Sequence, residues 1–269
     1  MKKMQTVLLS MFFLSAALTA AQTSPSVKAA AHSQAQTLRR YEPQMRNVEK
    51  KSGEDTWYVN IEKAISPATE QALIGYFTGQ YKPVAMGIDI YKAPVADNLY
   101  FVLGTVRKDK LSEDSEFINV FLALREQGGA VSEVSKAENE NDSLLRAPVF
   151  FYGQNKVLAI VSLSAADGSL AGHYAYEYAD NNFKPLGDIP VIDKLGMSGQ
   201  VWVTNNRIEG ATAEYKNNIY YVTLRGKGSL YQAFGYDNYK KLAPPKSPVK
   251  FFYDGKEWRR VAAKRAGRK

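Results

Sequence analysis

The sequence predicts an all-β, mainly antiparallel protein with one short N-terminal helix, built from repeated β-meander units. Three observations carry this expectation. Short runs rich in β-branched and aromatic residues recur along most of the chain, bounded by Gly, Asn and Asp. The stretch Asn155 to Leu186 holds two such runs around a Gly-bearing turn, and cruder copies of it lie before and after it. Convincing helix punctuation occurs at one place, Ser66-Pro67. Repeats of this kind are expected either as β-propeller-like blades or as a repeated antiparallel meander.

Taken in order, Met1 to Ala21 has the build of a secretory signal peptide: Lys2 and Lys3, an apolar Val7 to Leu18, then small residues ending Thr19-Ala20-Ala21. The apolar run is shorter than the roughly 20 residues a spanning helix needs. Residues 22–52 are rich in Ala, Gln, Ser and basic side chains, so they are expected to be a flexible basic leader that buries too little to offset its ordering entropy. The β-repeat domain is then expected over 53–262, with a basic tail at 263–269.

Trp57 to Ile61 reads as a first strand. Ser66 is a good N-cap, Pro67 suits the first helical position, Glu70 sits near the positive end of the dipole, and Leu73, Ile74 and Phe77 give an apolar stripe that Gly79 ends. The repeat units are expected at about 86–136, 148–187 and 201–242, with a partial unit at 247–261. Aligning Leu99, Val157 and Ile219 offsets them by 58 and 62 residues, and Pro148 to Gly153 echoes Pro248 to Gly255. Within the central unit, Val157 to Leu163 is apolar but for Ser162 and reads as a strand covered on both faces. Leu170 to Tyr178 alternates strictly, with His173, Ala175 and Glu177 on one face and Tyr174, Tyr176 and Tyr178 on the other. In the third unit, Ile219 to Leu224 and Leu230 to Tyr236 read as a hairpin across Arg225 to Gly228. Glu133 to Asp142 is expected as an acidic loop, and Pro190 to Gly199 as a linker.

Composition excludes several chemistries. There is no cysteine, which removes disulfides, thiolate nucleophiles, Cys-ligated zinc and iron–sulfur clusters. The net charge of +8 arises at the ends: residues 1–52 and 256–269 each carry +6, leaving the intervening body at −4. A nucleic-acid surface would place its basic face on the fold itself, so this distribution argues against one. No cofactor motif is present. Arg225-Gly226-Lys227-Gly228-Ser229 lacks phosphate-loop spacing, and Glu138 to Asp142 lacks the turn glycine of a calcium loop.

His173 and Glu177 share a strand face roughly 13 Å apart, too far for a direct dyad. The aromatic ladders, Tyr174, Tyr176 and Tyr178 in one unit and Tyr231, Phe234, Tyr236 and Tyr239 in another, fit either core packing or a platform for sugar rings or peptides. The expected function is that of an exported, non-enzymatic protein, periplasmic or secreted, that binds a protein or glycan partner, with Tyr174, Tyr176, Tyr178, Tyr231, Tyr236, His173 and Glu177 as candidate ligand contacts. The enzymatic alternative is a glycan hydrolase using two of Glu177, Asp180, Asp193, Glu209, Glu214 and Asp237. An envelope structural or assembly factor is a further alternative.

Overall fold

The computed structural model describes residues 35–52, 55–81, 83–107, 117–140, 144–164, 170–189, 200–204, 210–225, 228–235, 238–242 and 248–262. The expected signal peptide, the expected linker 190–199 and the expected basic tail 263–269 lie outside them. Among the described residues the chain is mostly antiparallel β-sheet with one short helix, and no sheet closes on itself. Among the described residues no helix is long and apolar enough to cross a membrane.

Two short strands, β1 (Gln36–Thr37) and β2 (Arg39–Tyr41), are followed by β3 (Met45–Ser52) and β4 (Asp55–Glu62). Helix α1 (Pro67–Gln80) comes next. After it run β5 (Pro83–Lys92), β6 (Leu99–Arg107), β7 (Phe117–Gln127) and β8 (Ala130–Glu140). A second meander comprises β9 (Leu144–Gly153), β10 (Lys156–Ser164), β11 (Leu170–Ala179) and β12 (Asn182–Ile189). The remaining strands are β13 (Gln200–Thr204), β14 (Thr212–Lys216), β15 (Ile219–Leu224), β16 (Gly228–Gly235), β17 (Asn238–Leu242), β18 (Val249–Tyr253) and β19 (Trp258–Arg260).

These strands pair into a helix-side sheet, β3-β4-β5-β6-β7-β8; a central sheet, β12-β11-β10-β9-β2; an outer sheet, β1-β14-β15-β18-β19; and a small sheet, β13-β16-β17. The pairings are antiparallel except β4 with β5, which the α1 crossover joins in parallel. Side-chain alternation along the strands then stacks the layers. On its helix face the first sheet sets Ile61, Ile88, Val102 and Leu122 against Leu73 and Phe77 of α1. Its other face meets the central sheet through Phe101, Phe121, Phe150, Val157, Tyr176 and Phe183. The far face of the central sheet meets the outer sheet through Phe151, Leu158, Ile160, Val222, Phe251 and Trp258. Strand β10 therefore sends Val157, Ala159 and Val161 into one core and Leu158 and Ile160 into the other, the two-sided burial its continuous apolar run predicts.

The helix follows its punctuation. The Ser66 hydroxyl accepts from the Thr69 N–H at 3.2 Å, and the chain leaves at Tyr81 in an extended conformation whose N–H reaches the Phe77 carbonyl. Gly79 lies inside the last turn rather than ending it. Gly104 of β6 makes room for the helix: a Cβ there would lie 2.4 Å from Phe77 Cζ and 2.8 Å from Ile88 Cγ2.

The structure corrects three further expectations. The leader expected to stay flexible through residue 52 forms β1, β2 and β3 from Gln36 onward. These strands add to the edges of sheets already buried elsewhere, so the ladder and a few anchors such as Leu38 order a segment that has little apolar surface of its own. The acidic loop expected at 133–142 is mostly the edge strand β8, where Ala137 is buried against the central sheet and Glu133 and Glu138 are exposed. Charge on an edge strand of this kind discourages pairing with another chain. The hairpin expected from β15 and β16 is split: β15 pairs with β14 and β18, while β16 pairs with β13 and β17. Strand β18 wins that edge because Val249, Phe251 and Tyr253 all face the core that β15 helps to form.

Replacing Gly104 by Ala is expected to destabilise the fold by about 1–3 kcal/mol, since two side chains that are wholly buried must give way. Urea unfolding checks this, and an unchanged midpoint would mean that α1 does not seat over β6 as described.

Candidate functional site

Of the tyrosines expected to offer a binding platform, Tyr176 and Tyr178 are core residues. Tyr176 and Tyr178 are 1% and 3% exposed, and their rings meet Phe121 at 5.3 Å and Phe101 at 5.2 Å edge to face. Tyr174 is half-buried and lies 4.8 Å from Tyr176. The alternating aromatic face is turned to the helix-side sheet, where edge-to-face packing fills the space between layers. Tyr231 takes its place in β16 opposite Val201 and Lys241. Its side chain, those of Phe234 and Tyr239, and all of Tyr236 lie outside the description.

His173 and Glu177 occupy the opposite face of β11, turned toward the outer sheet. His173 is buried, its Nδ1 has no hydrogen-bond partner among the described residues, and burial lowers its pKa from 6.5 to about 4. The imidazole is thus a neutral core side chain. Glu177 accepts from the Tyr220 hydroxyl and lies 3.8 Å from Lys156, which ties central to outer sheet. Burial, then the Glu177 carboxylate, pushes the Tyr220 phenol up. Of the other acids weighed for hydrolysis, Glu214 is 3.2 Å from Lys250 and Asp180 occupies a tight turn at φ 51°. Asp193, Glu209 and Asp237 lie outside the described residues.

A concave feature lies elsewhere, a cleft of about 640 Å³ between the helix-side sheet and the edge of the central sheet. Its floor comes from β3, β4, β5 and β6, and includes Asn47, Tyr58, Asn60, Asp89 and Thr105. Its wall comes from Arg40 to Pro43, where the chain crosses from one sheet to the other, and from Pro148 and Val149 of β9.

Register explains why polar residues collect there. Asn47 pairs with Asn60, Asn60 with Asp89, Asp89 with Leu103, Leu103 with Phe121 and Phe121 with Ala137, so the six form one row across the sheet. Leu103, Phe121 and Ala137 lie beneath the central sheet and are buried. Beyond its edge the row becomes amide and carboxylate.

The polar half is a connected relay. Asn47 Nδ2 donates to Asn60 Oδ1 at 2.8 Å, and Asn60 Nδ2 donates to Asp89 Oδ1 at 2.7 Å. The Tyr91 hydroxyl donates to Asp89 Oδ2 at 3.1 Å. A carboxylate only accepts, so Asn60 must turn its NH₂ toward Asp89 and its carbonyl toward Asn47, which fixes the sense of the whole chain. The remaining amide N–H groups and the Asn47 carbonyl are left for other partners. Burial, and then the Asp89 charge, holds the Tyr91 phenol well above its usual range.

Comparison with protein-family models, with curated proteins and with solved structures returned no match.

Other contacts hold the cleft in shape. The Tyr41 hydroxyl donates to Glu62 Oε1, whose other oxygen accepts from the Lys92 N–H at 2.8 Å. The Tyr41 ring also meets Phe150 and Tyr152 of the central sheet, so one side chain clamps the crossing segment to both layers. On the floor, Gly87 has φ +92° and a Cβ there would fall 2.2 Å from the Tyr58 carbonyl oxygen, a position only glycine fills. Tyr58 itself is 44% exposed, the most exposed large aromatic among the described residues. No group of three or more His, Asp or Glu side chains among the described residues is arranged to hold a metal ion.

Sequence reasoning missed this site. A signal existed in Tyr58-Val-Asn60-Ile-Glu62 and Gly87-Ile-Asp89-Ile-Tyr91, where apolar residues alternate with polar ones on a single face. That the two polar faces adjoin depends on the parallel pairing through α1.

Protonation of His173 yields a pH prediction. Its folded-state value lies below the ordinary 6.5, so its contribution is fully present above about pH 6.5 and is lost as pH falls toward 4. Wild type should lose on the order of 3 kcal/mol more than His173→Leu between pH 7 and pH 4. Denaturation curves across that range test it, and parallel profiles would contradict a buried neutral imidazole.

Proposed function

We propose that the protein is an exported, non-enzymatic glycan-binding protein whose ligand lies in the cleft over Asn47, Asn60 and Asp89. The observation that carries this is the juxtaposition of exposed Tyr58 with the amide–carboxylate row. Residues 58 and 60 share one face of β4, roughly 7 Å apart. A sugar ring lying on the apolar face of Tyr58 brings its hydroxyls to N–H donors and carbonyl and carboxylate acceptors of fixed sense, a combination suited to groups that both donate and accept. Ligand contacts move from the buried tyrosines of β11 to this floor, while the class of partner expected from the sequence is kept.

The lining carboxylates favour binding over hydrolysis. Asp89 is engaged by Asn60 and Tyr91, and Glu42 is held 2.8 Å from Arg40. The signal-like segment supports export, and the shared order of strands in β5–β8 and β9–β12 supports descent from one repeated meander unit.

Titration of the protein with a panel of oligosaccharides tests the reading. Binding is expected, with Tyr58→Ala weakening it about tenfold through loss of ring stacking. Asn60→Ala should weaken it at least as much, because the relay to Asp89 is broken. Release of reducing ends would move the reading to a hydrolase. Binding indifferent to both substitutions would remove the cleft from it.

A further inference from the structure

We infer that a second opening between the helix-side and central sheets binds a carboxylate carried on a small aliphatic group. It shares no lining residue with the cleft and does not depend on the glycan reading. The opening has a volume of about 250 Å³ and sits at strand ends of both meanders, where the β5–β6, β9–β10 and β11–β12 turns meet the end of β7.

Arg125 gives the opening its chemistry. It pairs with Leu99 near the end of β7 and reaches the β11–β12 turn above it, where its Nη2 donates to Asn181 Oδ1 at 3.2 Å. The Tyr178 hydroxyl donates to the same oxygen at 3.2 Å. Asp180 at φ 51° and Asn181 at φ 58° form a two-residue hairpin turn, which fixes that amide over the sheet end. With its oxygen engaged by two donors, Asn181 turns its NH₂ to other partners. A guanidinium carries five N–H donors. Among the described residues, half-buried Arg125 uses one of them, on a neutral amide, and forms no ion pair.

Neighbouring acids are engaged elsewhere. Asp97 lies 3.2 Å from Lys92, and Glu126 accepts from the Gly129 N–H at 2.7 Å in the β7–β8 turn. Asp180 is exposed and within electrostatic reach of Lys156. Arg125 is thus a cation open to an anion from outside, and a planar carboxylate can take two of its N–H groups together.

The opposite wall sets what the carboxylate is attached to. Val95 and Ala96 of the β5–β6 turn and Leu99 of β6 are apolar, with Leu99 buried and Val95 half-buried. A ligand there places an aliphatic group on that wall and its charge on Arg125, a division of apolar surface and placed polar groups common to small-ligand sites. Two sources offer this chemistry, a free short-chain carboxylate and the C-terminal residue of a peptide.

The experiment is NMR-detected titration of the full-length protein with three probes: isovalerate, a tripeptide ending in leucine, and the same tripeptide as its C-terminal amide. Isovalerate and the free-acid peptide should bind, and the amide should be weaker by about tenfold or more. Arg125→Gln should weaken both acids by about the same factor, and Arg125→Lys, which keeps the charge but not the planar fork, should weaken them less. The comparison of acid with amide is made on wild type, so it stands whatever the stability of the variants. Tighter binding of the free-acid peptide than of isovalerate would identify a chain end as the ligand, and equal or weaker binding a free carboxylate; either result supports the inference. An amide bound as tightly as the acid, acids bound equally well by Arg125→Gln, or no binding of any probe would overturn it.

Discussion

Among the described residues the central sheet is packed on both faces, and the arrangement of the other layers follows from that. Antiparallel sheets commonly keep one face for water. Here β10 places five consecutive apolar side chains, Val157 to Val161, into two different cores, and β9 does the same with Phe150 and Phe151. Exposing either face would forfeit about 1.5–3 kcal/mol for each large side chain uncovered. The helix-side and outer sheets are therefore structural necessities for the middle layer. The outward surfaces are closed in different ways, the first by α1, which Ser66 starts and Gly104 admits.

The cleft is the other side of the same constraint. A row of cross-strand neighbours stays apolar for as long as the central sheet lies over it and turns polar where that cover stops, between Leu103 and Asp89. Polar groups at such a boundary need fixed partners, and the relay from Asn47 to Asp89 with the Tyr91 hydroxyl behind it supplies them. Tyr41 and Glu62 pin the crossing segment that forms the rim, so the opening between the layers is a built feature with a rigid floor.

Much of this is legible in the sequence where stability is local. The strand runs, the helix start at Ser66-Pro67, the two-sided burial of β10 and the separation of the tyrosine face of β11 from the His173 face all follow from period and capping. What is not legible is pairing. Strands β1 to β3 lack a hydrophobic pattern of their own because ready-made sheet edges order them, and β8 reads as an acidic loop because a single buried Ala137 anchors its outer half. The partner of β15 is settled by β18, some 25 residues beyond it. Asn60 and Asp89, the centre of the candidate site, are 29 positions apart and become neighbours only through the parallel crossover. The tyrosines drew attention for the property that buries them, a large flat apolar surface, whereas the amides of the floor carry no composition signal at all.

Hydrogen exchange resolved along the chain tests the layered account most directly. If the middle layer is covered on both sides, the amides of β10 and β11 should exchange slowest, near the limit set by global unfolding, and those of β3 and β8 at the sheet edges much faster. Exchange of β10 on the timescale of β8 would mean that one of its faces meets water, and the stack would have to be abandoned.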